Sequence, residues 1–321
     1  MTSIQIFDGN DTIGGNKIYL EEKGKGIFLD FGMNFKKYGF YFQEYLDPRP
    51  SRGIHDLIHL NLIPKLNIYR EDLIPSDLNV SHFPSLKVEA ISISHAHMDH
   101  CGNIGLLKPK YPIIASTTTL ILLKAMLDTT RAKLGSDINY YSPKYQNHNG
   151  RILKSYRDKE LCRDLICLND FTGTFEEFLT RCVNPRKKFI EGTISNIKDN
   201  KFELDVKAFE VDHSIYGATG YLISGDKSVA YTGDFRLHGK KGQKSKEFFQ
   251  KAKEASVLII EGTRAGREDV DESEEIVYNN CLKTAQKSKG LIVADFTARN
   301  FERLEIFNQI AKKIGRTLVV T

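Results

Sequence analysis

The chain opens with short apolar segments that alternate with polar turns, a pattern typical of β-strands joined by tight connections. Residues 4–7, 17–20 and 26–30 are three such segments, and glycines lie in the turn between the first two. Residues 88–93 are apolar and β-branched, which predicts a buried strand. Further strands are predicted at residues 113–116, 202–211, 228–231 and 256–260.

Helical patterns appear in the middle and near the end of the sequence. Residues 117–127 predict a helix, and 300–313 predict another because apolar side chains recur there at helical spacing. A helical run also ends near Ser288, and strands are predicted at 290–294 and 316–320. Two long segments have no clear period and are predicted to be irregular insertions; they are residues 33–87 and 128–186.

A cluster of potential metal ligands directly follows the predicted strand 88–93. Residues 94–100 read Ser-His-Ala-His-Met-Asp-His. Imidazole nitrogens and carboxylate oxygens are the ligands that zinc prefers. His95 and His97 are two residues apart and point the same way at a strand end, whereas the adjacent Asp99 and His100 diverge towards a second ion. The cluster predicts a metal site; a loop of solvated histidines is the alternative.

The segment 94–100 resembles the His-x-His-x-Asp-His motif of the metallo-β-lactamase superfamily. This resemblance implies an α/β protein, a four-layer αβ/βα sandwich with a two-zinc site at one edge of its sheets. In the motif order of that family, His213 completes the first zinc site, and Asp234 bridges both ions with its two oxygens. Asp30 is implied to orient a ligand histidine from behind. His238 is an alternative ligand to His213.

Three later segments look like the β-CASP branch of this superfamily, and particularly like its ribonuclease J group. They are Val-Asp-His-Ser-Ile-Tyr-Gly-Ala at 211–218, Tyr-Thr-Gly-Asp-Phe-Arg-Leu-His-Gly at 231–239 and Ile-Ile-Glu-Gly-Thr at 259–263. The resemblance implies hydrolysis of RNA by a hydroxide that two metal ions generate, with DNA less favoured as substrate. The catalytic residues it implies are Asp99, Asp234 and Glu261.

The same resemblance divides the chain into a metallo-β-lactamase domain at residues 1–265 and the beginning of a parallel αβ β-CASP domain at 266–321. Two histidine motifs of the branch are expected later in the sequence, but no histidine follows His238. The second zinc site is therefore expected to lack its last ligand. We expect the chain to be a piece of a longer protein, or a homo-oligomer or second chain to supply the missing part.

The net charge of +5 is modest, but it is unevenly distributed. Residues 128–201 carry a balance of +4, and residues 236–254 carry +5. Concentrated positive charge is typical of proteins that bind a polyanion such as RNA, although a solvated basic face is the alternative. Aromatic residues are interleaved with basic ones in 128–186, as on many nucleic-acid surfaces. The basic residues expected nearest to the metal site are Arg236, Lys240, Lys241 and Lys244.

Composition narrows the protein class further. Five scattered cysteines without a Cys-x-x-Cys pair are typical of a reducing cytoplasm, and no apolar run is long enough for a membrane span. Cys101 adjoins the histidine cluster, but His100 is the better ligand. Two other functions stay open. One is a small-molecule hydrolase of the thioesterase or lactonase type, and the other is a catalytically silent scaffold that binds RNA.

Overall fold

The computed structural model describes residues 1–43, 46–130, 133–147, 149–266, 273–297 and 299–320. Its larger sheet consists of β1 (Ser3–Asp8), β2 (Lys17–Glu22), β3 (Lys25–Phe31), β4 (Val88–Ser92), β5 (Ile113–Ala115), β10 (Leu165–Cys167) and β12 (Ile194–Asn196), in that spatial order. The first three strands pair antiparallel, and every pair from β3 onward is parallel. The five strands predicted in this part of the chain are confirmed.

A second, four-stranded sheet follows later in the chain. It consists of β13 (Asp205–Glu210), β14 (Thr219–Ser224), β15 (Ser228–Tyr231) and β16 (Val257–Ile259), in that order. The first two pairs are antiparallel and β15–β16 is parallel. Strand predictions at 202–211, 228–231 and 256–260 are confirmed; the second matches β15 residue for residue, and the ends of the other two are shifted by one to three residues.

The described helices are α1 (Phe35–Tyr41), α2 (His55–His59), α3 (Met98–Cys101), α4 (Thr117–Thr129), α5 (Gly173–Thr180), α6 (Gly242–Ala252), α7 (Glu274–Lys287) and α8 (Phe301–Lys313). Helices α4, α7 and α8 are capped by Ser116, Ser273 and Asn300, whose side chains each accept a backbone N–H of the first turn. None of the described helices has the length and apolar content that crossing a membrane requires.

The sheets and helices form four layers. Side chains alternate along β3, so Ile27 and Leu29 face the second sheet, whereas Phe28 faces helices on the opposite side. Tyr221 and Val229 meet Ile27 and Leu29 from the second sheet, which closes the core between the sheets. Helices α2, α4 and α5 cover the outer face of the larger sheet, and α6 covers the second sheet. The predicted four-layer αβ/βα arrangement is confirmed.

The prediction that residues 128–186 are irregular is wrong. This segment contains α5 and the strands β6 (Tyr140–Tyr141), β7 (Lys144–Asn147), β8 (Ile152–Ser155) and β9 (Lys159–Cys162), as well as β10. β9 also pairs with β11 (Lys188–Ile190), and β7 pairs with β8 as a hairpin. Strands of two to four residues are too short to show a period, which is why the pattern missed them.

A buried ion pair and a cation–π contact join the two insertions. The Arg70 guanidinium, from the first insertion, lies 2.8 Å from the Asp137 carboxylate of the second. It also stacks on the Tyr141 ring, 3.6 Å from its centroid. Both arginine side chains in this cluster, Arg70 and Arg163, are almost fully buried. The insertions therefore form part of the packed body of the protein.

The last described part of the chain is a pair of packed helices. α7 and α8 meet through Leu282, Ile306 and Ile310. The strands predicted at 290–294 and 316–320 are not formed: these residues pair with no strand in the described part of the chain, and Leu291 is 92% exposed. A strand needs a hydrogen-bonding neighbour, and the described residues provide none here. The boundary predicted at 265/266 lies beside residues 267–272, which are outside the described residues.

Candidate metal centre

The predicted ligands come from connections that leave strand ends in both sheets. His95 and His97 lie in the loop after β4, and the one-turn helix α3 carries Asp99 and His100. His213 follows β13, and Asp234 follows β15. The site therefore lies where the ends of the two sheets meet, and its side chains come from three separate segments of the chain.

Three imidazoles form the first part of the site. The Nδ1 atom of His97 lies 3.0 Å from Nε2 of His95 and 3.2 Å from Nε2 of His213. Burial lowers the pKa of His95 well below its ordinary value, lowers that of His97, and brings the pKa of His213 to about 3. The rings are thus neutral at physiological pH, and their converging ring nitrogens suit a cation.

Asp234 connects these three imidazoles to a second set of potential metal ligands. Its Oδ1 lies 3.2 Å from Nε2 of His100, whereas its Oδ2 lies 3.8 Å from Nε2 of His213 and 4.0 Å from Nε2 of His95. His95, His100 and Asp234 also form a second set of converging donors. Asp99 is more peripheral, with its Oδ2 3.9 Å from Nε2 of His100. The two oxygens of Asp234 therefore face different histidines.

Asp30 lies behind His100 and is fully buried. Its Oδ2 accepts hydrogen bonds from Nδ1 of His100 at 2.7 Å, the Ser94 hydroxyl at 2.7 Å and the Tyr231 hydroxyl at 2.6 Å. Its Oδ1 accepts the backbone N–H of Ser94 at 2.7 Å. Because Nδ1 of His100 donates its proton to Asp30, Nε2 is directed at Asp234 and is the nitrogen that a metal would bind in place of a proton.

Charge couples His100 to its two carboxylates. Burial lowers the pKa of His100, but Asp30 and Asp234 outweigh it, and the net pKa is well above the ordinary value. Burial raises the pKa of Asp234, but the hydrogen bond and charge of His100 outweigh it and the net pKa is lowered. Without a metal ion, His100 and Asp234 thus share a proton, and a metal bound to both groups would displace it.

Close backbone packing fixes the position of Asp99. The backbone N–H of Gly15 donates to the Asp99 carbonyl at 2.8 Å. A Cβ atom at Gly32 would lie 1.6 Å from that carbonyl oxygen, and one at Gly14 would lie 2.4 Å from the Asp99 carboxylate. Glycine is required at both positions because the chain after β1 and the chain after β3 press directly on α3.

Other candidate residues lie outside the converging donors. The Glu261 carboxylate accepts the backbone N–H of Phe235 at 3.0 Å, so it supports the loop that carries Asp234. The Cys101 thiol is fully buried and donates to the His97 carbonyl, and burial raises its pKa. His238 is exposed, apart from the converging donors.

Arg299 reaches the metal centre, although no sequence pattern indicated it. Its Nη1 donates to the Ala96 carbonyl at 3.0 Å, between His95 and His97. Its positive charge contributes to the lowered pKa of both histidines, in addition to burial. The structure describes no ion pair of Arg299. The residue is some 200 positions away along the sequence, so only the fold brings it to the site.

The basic residues predicted to contact nucleic acid are engaged with carboxylates. Arg236 pairs with Asp212, Glu274 and Glu302. The other three pairs are Lys240 with Glu305, Lys241 with Glu210, and Lys244 with Glu247. Two of these cations, Arg236 and Lys240, connect the segment after β15 to α7 and α8. Contact of the four residues with a nucleic acid stays a prediction, against which this pairing counts.

Comparisons with known proteins point to one group of relatives. No protein-family model matches the chain. The ribonuclease J of Pyrococcus abyssi is 23% identical over 99% of this chain and 58% of its own length. The ribonuclease J of Methanocaldococcus jannaschii is 24% identical over 97% of this chain and 58% of its own length. The ribonuclease J of Mycoplasma genitalium is 21% identical over 97% of this chain and 42% of its own length.

One solved structure has a similar fold. It is the crystal structure of a protein of unknown function from Enterococcus faecalis, with a TM-score of 0.65 and 26% identity. The match covers 98% of this chain and 64% of that one. The chain spans little more than half the length of the first two curated relatives. Because the matches cover nearly all of this chain, they include the candidate metal centre and the last two helices.

Proposed function

Because the chain is a ribonuclease J-like member of the metallo-β-lactamase superfamily, we propose that it is a metal-dependent hydrolase that cleaves phosphodiester bonds in RNA. The observation that supports this best is the convergence of four histidines around the two oxygens of Asp234. The choice of RNA rests on the names of the relatives. This chain spans only part of the length of these relatives. RNA cleavage by the whole protein is therefore also a proposal.

The donor set fits zinc. Neutral imidazoles with one or two carboxylates are typical ligands of catalytic zinc sites. His95, His97 and His213 would hold one ion, and Asp99 and His100 a second, with Asp234 shared between them. Bound metal would supply an acidified water at neutral pH and neutralise charge on the phosphoryl group.

The chain's own side chains orient these groups and the substrate. Asp30 holds the proton on Nδ1 of His100 and so keeps Nε2 free as a ligand. Ser94 and Tyr231 fix the Asp30 carboxylate in turn. Arg299 presents a guanidinium beside His95 and His97, and we assign it to the non-bridging oxygens of the scissile phosphate, since guanidinium groups match phosphate geometry.

A cavity of about 470 Å³ gives room for substrate beside this centre. It lies between the loop after β1 and the ends of β15 and β16, and Asn16, Asp234 and Glu261 line it. Helix α8, against which α7 packs, flanks the site through Arg299 just before it and through Glu305, which accepts the Tyr216 hydroxyl. We assign these helices to the beginning of a β-CASP domain, which holds the RNA strand over the metal centre.

The test is cleavage of a labelled single-stranded RNA by the 321-residue chain loaded with zinc, compared with the same chain after chelation. Zinc-dependent cleavage that Asp234→Asn abolishes is the expected result. Arg299→Ala should lower turnover of RNA and of a small phosphodiester, while hydrolysis of a neutral ester stays unchanged, because only the anionic substrates use the guanidinium.

Three other outcomes contradict the proposal. Hydrolysis of neutral esters without RNA cleavage would make the protein a small-molecule hydrolase. RNA binding with bound zinc but without turnover of any substrate would favour a silent scaffold. Cleavage that persists in Asp234→Asn would show that the chemistry does not depend on this centre.

A further inference from the structure

The hairpin of β7 and β8 carries aromatic and basic side chains on one exposed face. Tyr145 lies directly opposite Lys154 in the pairing register, so the two side chains share a face. The Tyr156 ring, just beyond β8, lies 5.0 Å from the Tyr145 ring, centroid to centroid. Both tyrosines are exposed to about 40%. Leu153 points the other way, is buried, and anchors the hairpin to the body of the protein.

The positive charge on and beside this face has no ion pair among the described residues, unlike that of residues 236–244. Lys154 on this face and the neighbouring Arg151 and Arg157 are exposed, and the described part of the chain gives none of them an ion pair. The Lys159 ammonium lies 4.5 Å from the centroid of the Tyr156 ring. Asp158 is the one carboxylate in the sequence from 151 to 159. The hairpin therefore presents free cations beside two exposed rings.

We propose that this face, which we call the Tyr145 platform (Tyr145, Lys154 and Tyr156, with Arg157 next to it in the chain), binds single-stranded RNA. Unpaired bases stack on aromatic rings, and lysine and arginine neutralise the phosphates between them. A protein partner is less well matched, because the face joins its rings to free cations and lacks a contiguous apolar patch. The inference rests on the proposed function for the choice of RNA, and it adds a binding site apart from the metal centre.

The first test separates stacking from charge. The zinc-loaded chain would be exchanged into chelator so that no cleavage occurs, and its affinity measured for a short unstructured RNA and for the same backbone without bases. Tyr145→Ala with Tyr156→Ala should weaken binding of the normal RNA by about fivefold or more per ring and leave the abasic strand unaffected. Tyr145→Phe with Tyr156→Phe should retain wild-type affinity, since the rings remain.

The second test concerns the phosphates. Lys154→Glu with Arg157→Glu should weaken both ligands and reduce the slope of log K against log salt by about 0.7 for each lost phosphate contact. The matched control is Lys65→Glu with Lys110→Glu, two exposed lysines outside both basic stretches, which makes the same charge change elsewhere on the protein. The control should keep most of the affinity and the full slope.

Several results would overturn the platform. They are unchanged RNA affinity in both platform variants, equal losses in the platform and control charge variants, or equal losses on normal and abasic strands when the rings are removed. Loss of a co-purifying protein with unchanged RNA affinity would reassign the face to protein docking. Since binding is measured without metal, failure of RNA cleavage would reject the proposed function while leaving the platform standing, and the reverse holds as well.

Discussion

The Asp30 carboxylate connects residues from three different parts of the fold. Ser94 follows β4, His100 belongs to α3, and Tyr231 ends β15 in the second sheet. The backbone of Asp30 is left-handed, with a φ of 59°, a conformation that Asp adopts more readily than β-branched residues do. The conformation places a short carboxylate under His100, and so a single residue sets the orientation of one ligand and the approach of the two sheets.

We expect Asp30→Asn to lower zinc affinity by about 10- to 100-fold, because an amide cannot accept the His100 Nδ1–H with the strength of a carboxylate. Competition with a chromophoric chelator measures this affinity directly. Asp158→Asn, which removes an exposed carboxylate, should leave it unchanged. Affinity of Asp30→Asn within twofold of the wild type would show that this carboxylate does not support the ligand.

Asp234 and His100 make different contributions if Asp234 is shared by two ions. One oxygen of Asp234 faces His100 and the other faces His95 and His213. Asp234→Asn should therefore lower the number of zinc ions bound per chain more than His100→Ala does, since the latter disturbs only one ion. Elemental analysis of the purified variants measures this difference. Equal losses would mean that Asp234 does not bridge.

Helix α3 is only one turn long, and its position depends on the segments packed against it. The backbone N–H of Met33 donates to the Met98 carbonyl at 2.9 Å, next to the contact of Gly32 with Asp99. A four-residue helix has little stability of its own. Its neighbours therefore place Asp99 and His100, and those neighbours come from the start of the chain.

Gly32→Ala should lower the free energy of unfolding by about 3 kcal/mol, because the new methyl group would meet backbone that cannot move aside. Urea denaturation in the presence of chelator measures the effect without a contribution from bound metal. Gly39→Ala is the matched control: nothing lies within 4 Å of a Cβ there, and alanine favours the helix α1. A comparable loss in both variants would contradict the packing argument.

Strands with an apolar period of their own were predictable, and strands defined by their partners were not. Residues 228–231 show a continuous apolar run and form β15 over the same residues. Residues 144–147 are mostly polar, and they form β7 only because β8 lies beside them. Conversely, residues 290–294 are apolar enough for a strand but have no neighbour among the described residues.

The metal ligands were predictable because their chemistry is local in the sequence. His95, His97 and His100 lie within six residues, and imidazoles at that spacing have few other uses. The partners of charged groups are set by the fold. Arg236 meets Glu302 across 66 residues, and Arg299 reaches the Ala96 carbonyl across 203 residues. A count of positive charges therefore identified the basic stretches but could not tell paired cations from free ones.

At the scale of the molecule, the candidate metal centre joins the two halves of the sandwich. His95 and His100 follow β4 of the larger sheet, whereas His213 and Asp234 follow strands of the second sheet. An ion held by both sets would cross-link the sheets at one edge, where the apolar core between them ends. Without an ion, this edge contains buried neutral imidazoles and a shared proton rather than metal bonds.

Zinc should therefore stabilise the whole sandwich and not only the site. At a free concentration 100 times its dissociation constant, it should raise the free energy of unfolding by about 2.7 kcal/mol, and chelation should remove that gain. Thermal unfolding with matched zinc and chelator buffers measures the difference. In His213→Ala most of the gain should disappear, because the second sheet loses a ligand. His238→Ala, an exposed histidine outside the converging donors, should keep it in full. If His213→Ala retained the full gain, the ion would be held by the larger sheet alone, and the cross-link between the sheets would be rejected.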